Sequence, residues 1–365
     1  MNNRERLLIQ GFAVSALMAL GGAATAHSEF NEPGNIVIAD QFNNRIIEID
    51  PPSHRILWTF GDGSAVPGPH SVVGPNDAER FGRWTLISGT GIPVANPPLP
   101  GCPDVVNGCP DNRVFIVDRH GHIRWQYGQG GVTGSGPNQL NTPVHAVIVP
   151  TFPSQSGPHV MITDQGNARV ILVNFKGGID WQYGTTGSAG IGDNQLNNPN
   201  SAELLRNGHI LIADENNNRV IEVTVGKTIA HTFTAGNSVS GAAFASRLPN
   251  GNTLITDSNN NRAVEVDAND SVVWQYITST MPGSNSAPLP TRAIRLANGN
   301  TLISDQFNNR VIEVTRNKAI VFQQGKLNVT GDGFNLLNGP YDAKRVGDFT
   351  GLTPPFADEE ENGDR

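Results

Sequence analysis

The stretch "SDQFNNRVIEV" at residues 304–314 nearly repeats "ADQFNNRIIEI" at residues 39–49. Between them lie "TDQGNARVILV" (163–173), "ADENNNRVIEV" (213–223) and "TDSNNNRAVEV" (256–266). One phrase returning along a chain in this way marks a repeat architecture rather than a duplicated site.

Around this phrase each copy has three parts. Before it runs a short apolar strand after a turn, as in "NGNTLITD" (250–257) and "NGHILIAD" (207–214). The phrase itself is an Asn-rich turn leading to Arg and an alternating strand, and after it comes a turn with an aromatic strand, as in "GHIRWQYG" (121–128) and "HRILWTFG" (54–61). Alternating Leu, Ile and Val read as half-buried strands. A degenerate copy is visible in "RWTLISG" (83–89) and "NRVFIVD" (112–118), which makes Arg45, Arg113, Arg169, Arg219, Arg262 and Arg310 the markers of six copies.

A fourth, weaker strand precedes each apolar strand and carries Ala78, Ala146, Ala202, Ala245 or Ala293. The N-terminal copy lacks it, and a surplus one, "GPYDAKRV" (339–346), stands at the C-terminus and resembles "GPNDAERF" (74–81). Four-strand units with one strand missing at the start and one left over at the end predict an all-β fold. That fold is a six-bladed β-propeller of four-stranded blades, closed by a C-terminal strand that completes the first blade. Frequent Gly (41) and Pro (25) and a low charged fraction (16%) agree with short strands joined by tight turns.

Residues 1–26 differ in kind: Arg4 and Arg6, then "LLIQGFAVSALMALGGA", then Ala24-Thr25-Ala26. This reads as a signal peptide, with an uncleaved membrane anchor as the competing reading, and predicts an exported, periplasmic or secreted protein. The propeller is expected over 27–349, with an insertion at about 89–111, and "FADEEENGDR" within 350–365 reads as an acidic disordered tail. Export fits the cysteines: Cys102 and Cys109 lie in the Pro/Gly-rich "GCPDVVNGCP" and are expected to form a disulfide. A net charge of −8 without clustered Lys and Arg excludes a nucleic-acid partner. No second apolar run long enough to span a membrane exists, and a monomer is expected.

The repeated Asp stands five residues before the Arg, across a turn whose Asn residues tolerate left-handed backbone, so the pair reads as a turn clasp. The Trp of the aromatic strands, replaced by His231 and Phe322 in two copies, reads as filler between blades rather than as a quinone-cofactor dock. Gly-x-Ser-x-Gly, Walker and His-Glu-x-x-His patterns are absent.

With its Gly-rich loops, Asn-Pro steps and Asp followed by Asn-x-Arg, "GIGDNQLNNPNSAELLRNGHILIADENNNRVIEV" (190–223) resembles the NHL-repeat family. That resemblance implies the propeller fold, and its propellers include protein binders, RNA binders and a metal-dependent lyase. The "NGNTLI" phrase is also similar to arylsulfotransferase-like propellers, but the histidines that the resemblance implies ahead of this strand are missing here.

Function on a propeller is expected in the central funnel. The position before the repeated Ala reads Asp77, His145, Ser201, Phe244, Arg292 and Asp342; one residue earlier stand Asn76, Val144, Asn200, Ala243, Thr291 and Tyr341. Asp77, His145 and Asp342 are the candidate ligands of a divalent ion such as zinc or calcium, with Arg292 receiving an anionic substrate. Asn76, Asn200, Ser201 and Tyr341 are candidate binding residues. Two functions follow: a propeller that binds a small-molecule or protein ligand through its funnel or one face, or a metal-assisted lyase or hydrolase. The competing reading of the ring is that its charges pair with one another.

Overall fold

The computed structural model describes residues 29–355; the expected signal peptide and residues 356–365 lie outside the described part. It contains six antiparallel four-stranded sheets in a ring, and the first blade joins Ile36–Asp40, Arg45–Asp50 and Arg55–Phe60 to Pro340–Arg345 from the far end of the chain. Strand Pro340–Arg345 pairs with Ile36–Asp40, with Ala343 opposite Ile38, so the two ends of the propeller are sewn by a β-ladder. The remaining inner strands are Pro75–Phe81, Pro143–Val149, Pro199–Leu204, Ala242–Arg247 and Arg292–Arg295, in blades two to six. Among the described residues no helix is long and apolar enough to cross a membrane.

The core is a set of layers between blades. Between blades three and four, for example, Met161, Leu172 and Trp181 pack with Ile210, Ile212 and Ile221, and a like layer closes blade six on blade one through Leu302, Val311, Ile36 and Ile47. Each sheet is apolar on both faces, which is why its strands read as near-continuous Ile, Leu and Val. The aromatic strands serve this junction: the indole N–H groups of Trp58, Trp125, Trp181 and Trp274 donate to carbonyls of Arg119, Phe175, Val225 and Arg316 in the next blade.

The quoted phrase folds as a strand end, one 3-10 turn and a left-handed residue, at Asn44, Ala168, Asn218, Asn261 and Asn309. Arg45, Arg169, Arg219, Arg262 and Arg310 donate Nε to Asp40, Asp164, Asp214, Asp257 and Asp305 at 2.6–2.8 Å. Where the left-handed residue is Asn, its Oδ1 accepts a backbone N–H of the following blade: Gly74 for Asn44, Gly241 for Asn218, Leu289 for Asn261 and Gly339 for Asn309. The Asn-rich turn therefore joins a blade to its neighbour as well as closing on itself. In blade two Gly89 stands in place of the repeated Asp, and Asp111 supplies the carboxylate for Arg113 instead. A Cβ on Gly89 would lie 2.6 Å from that carboxyl carbon, so the glycine makes room for the substitute.

The insertion is less irregular than the sequence suggests. Strands Trp84–Ile92 and Cys109–Val117 run on past the blade, with Ile92 opposite Cys109, and the Cys102–Cys109 disulfide, with Cα atoms 5.6 Å apart, staples the loop beyond. This loop folds back across the ring: Asn44 donates to the Gly101 carbonyl, and Cys102, Ile92, Val73 and Phe42 share one apolar cluster.

Residues 350–355, expected to belong to the tail, pack against the propeller. Thr353 is buried, its N–H and hydroxyl donate to Glu203, and its hydroxyl accepts from the Leu204 N–H. Residues 350–355 close one end of the channel because a fully buried acceptor there needs donors.

Candidate functional site

The inner strands bring the predicted ring together. Asp77, His145, Ser201, Phe244, Arg292 and Asp342 are all fully buried, and the contacts among them cross between blades. Arg292 of blade six donates to Asp342 of blade one at 3.0 Å and reaches Asp77 of blade two at 3.3 Å, while its guanidinium lies 4.4 Å from the Phe244 ring centre. Lys344, absent from the sequence-derived candidates, stands two residues beyond Asp342 on the same strand. Its ammonium donates to Asp77 at 2.5 Å, to Asp342 at 2.7 Å and to the Ala78 carbonyl at 3.2 Å. The remaining capacity of the two aspartates is met by backbone, as Ala78 N–H donates to Asp342 and Ala146 N–H to Asp77.

These contacts are the mutual pairing that competes with the metal-ligand reading of Asp77, His145 and Asp342. Their oxygens face two cations and two amides, and a divalent ion there would have to displace Lys344 and Arg292. His145 Nε2 lies 4.0 Å from Asp77 and 3.6 Å from Glu203. Burial, then the charges of Arg292 and Lys344, holds its imidazole well below the ordinary histidine range and therefore neutral. Among the described residues no group of three His, Cys, Asp or Glu side chains is disposed to hold a metal ion. Arg292, offered as an anion receiver, is an axial ion-pair partner.

One step along the axis a second acidic pair was missed. Burial pushes Glu79 well above the usual carboxylate range, while Ile148 N–H donates to it. Burial raises Glu203 to about 7 against the opposing hydrogen bonds from Thr353. Both lie two residues beyond a ring position, the inward period of a strand, and that spacing was the signal available for them and for Lys344.

The opposite mouth is lined by polar amide and hydroxyl groups gathered around the Glu215 carboxyl. Tyr341 of blade one spans the channel, and its hydroxyl accepts from Asn200 Nδ2 of the facing blade four at 3.0 Å. Asn200 also donates to Glu215, which Asn198 and Gln165 reach as well. Ser201 stays in the buried layer below, its Oγ without a hydrogen-bond partner among the described residues. Asn76 is the candidate that reaches open space. With Gln41, Thr90, Asn112 and Gln165 it lines a pocket of about 380 Å³, whose outer wall is Ile92, Pro93, Asn107 and Pro110 of the disulfide hairpin.

No protein-family model matches the sequence, and no curated protein matches it. The NHL resemblance thus rests on the repeat phrases. Solved structures do match: a protein of unknown function from Bacteroides caccae, at 13% identity over 80% of this chain and 93% of that one, has a TM-score of 0.50. Virginiamycin B lyase from Staphylococcus aureus, at 13% identity over 82% of this chain and 86% of that one, scores 0.48. A streptogramin B lyase, at 16% identity over 70% of each chain, scores 0.45. At such identities the likeness extends to the fold alone.

Proposed function

We propose that this chain is an exported binding propeller, periplasmic or secreted, that takes a small ligand in the mouth pocket between Asn76 and the disulfide hairpin. The observation that carries this reading is the pocket itself. It is concave, of ligand size, walled by the disulfide insertion, and placed where the blades are free to differ. The charged layer beneath supports the ring: its ions are paired with each other, capped by Tyr341 and plugged by Thr353. The disulfide is compatible with export, as is the finding that among the described residues no helix is long and apolar enough to cross a membrane.

The test is thermal-shift screening of the purified chain against a small-metabolite library, repeated with Asn107→Trp, which fills the pocket from its exposed rim. At least one compound is expected to stabilise the parent and lose its effect in the variant. Hits that stabilise both equally, or no hits, refute the mouth as the site.

A further inference from the structure

We infer that the mouth pocket, taken as the binding site, receives an uncharged, hydroxyl-rich molecule of saccharide size, read by a relay of buried amides that ends at Asn76. The relay runs across three blades. Gln306 Nε2 donates to Gln41 Oε1 at 2.7 Å, and Gln41 Nε2 donates to Asn76 Oδ1 at 2.7 Å. All three side chains are buried, at 6%, 6% and 5% exposure. Such a chain polarises in one direction, each amide strengthening the next. Its last member, Asn76 Nδ2, makes no hydrogen bond among the described residues and borders the pocket.

Acceptors stand on the other walls. Gln165 spends its Nε2 on Glu215, and Asn107 spends its Nδ2 on Asp104, so each keeps a side-chain oxygen to offer. A donor facing two acceptors suits groups that accept and donate at once, which hydroxyls do. Ile92, Pro93 and Pro110 give C–H faces a dry surface.

Charge excludes the alternatives. None of the residues lining this pocket is ionisable. Two carboxylates that the lining residues touch are already engaged: Glu215 Oε2 accepts from Asn198, Asn200 and Gln165, and Asp104 accepts from the Val106 and Asn107 amides of its own loop. An anionic or cationic ligand would lose its hydration with no counter-charge in return. The volume of about 380 Å³ falls in the range of small-ligand pockets.

The experiment is titration of the purified chain with neutral mono- and disaccharides and with their uronic-acid and amino-sugar counterparts, for the parent, Asn76→Asp, Gln165→Glu and Asn107→Trp. A neutral saccharide is expected to bind the parent at least about tenfold more tightly than its charged counterparts, as one unmatched buried polar group costs about that factor. Asn76→Asp and Gln165→Glu should each weaken it about tenfold with unchanged circular dichroism. Charged sugars binding as tightly as neutral ones, or no neutral saccharide binding, overturns the inference. If the charged binder is lost in Asn107→Trp, the pocket stands and only the ligand class falls. If a neutral saccharide binds Asn107→Trp as it binds the parent, the pocket itself is wrong.

Discussion

Glu203→Gln should make the protein more stable at alkaline pH while changing little in acid. In the folded chain the Glu203 carboxyl is fully buried, its Oε2 accepts from the Thr353 N–H and hydroxyl, and its Oε1 has no partner among the described residues. Burial raises it from the ordinary 4.5 to about 7. The unfolded chain therefore releases this proton near 4.5 and the folded chain near 7, so between those values the folded state holds more protons and stability falls as pH rises. The favourable contribution is complete below the lower value and gone above the higher. At about 1.4 kcal/mol per pH unit, that displacement corresponds to about 3 kcal/mol. Glutamine keeps the shape, accepts from Thr353 and carries no charge to desolvate. Denaturant unfolding of parent and variant at a series of pH values from about 5 to about 8 measures the difference, in which titrating groups remote from Glu203 cancel while Glu79, raised in part by the Glu203 charge, adds to the change. The variant should gain about 3 kcal/mol on the parent across that range. A flat difference, or one that grows toward acid, would refute the assignment of a proton-holding carboxyl to the channel.

Two further outcomes follow from the same layer and from the closure. Lys344→Met leaves Asp77 and Asp342 buried without the ammonium that bonds both, and should cost about 3–5 kcal/mol in denaturant unfolding; a loss under about 1 kcal/mol would mean that Arg292 alone suffices. Deleting 339–365 removes the inner strand of blade one, strips the ladder from Ile36–Asp40 and bares a strand edge, so cooperative melting at the parent temperature should be lost. A truncated chain that melts like the parent would show that the closure contributes nothing to stability.

The ring of blades was legible because its signals are local and repeated. The Asp and Arg of each phrase stand five residues apart across one turn, and the surplus "GPYDAKRV" names the strand missing from blade one. The axial positions were legible too, since the repeated Ala sets a common register. Their pairing was not: in the sequence Asp77 and Asp342 read as metal ligands, and in the structure Lys344, from the strand that closes the ring, bonds both. A lysine is ordinarily an exposed residue, and nothing next to it in sequence says otherwise.

The sequence by itself determined the repeat, the number of blades, the disulfide and the ring of positions before the repeated Ala, because strand period and turn chemistry act over a few residues. Only the tertiary structure decided which charges meet on that axis, that Thr353 plugs it, and that Asn76 shares a pocket with Asn107 and Gln165. Those neighbours come from different blades and a folded-back hairpin. Their distances are set by ring closure and packing between blades, which no local pattern encodes.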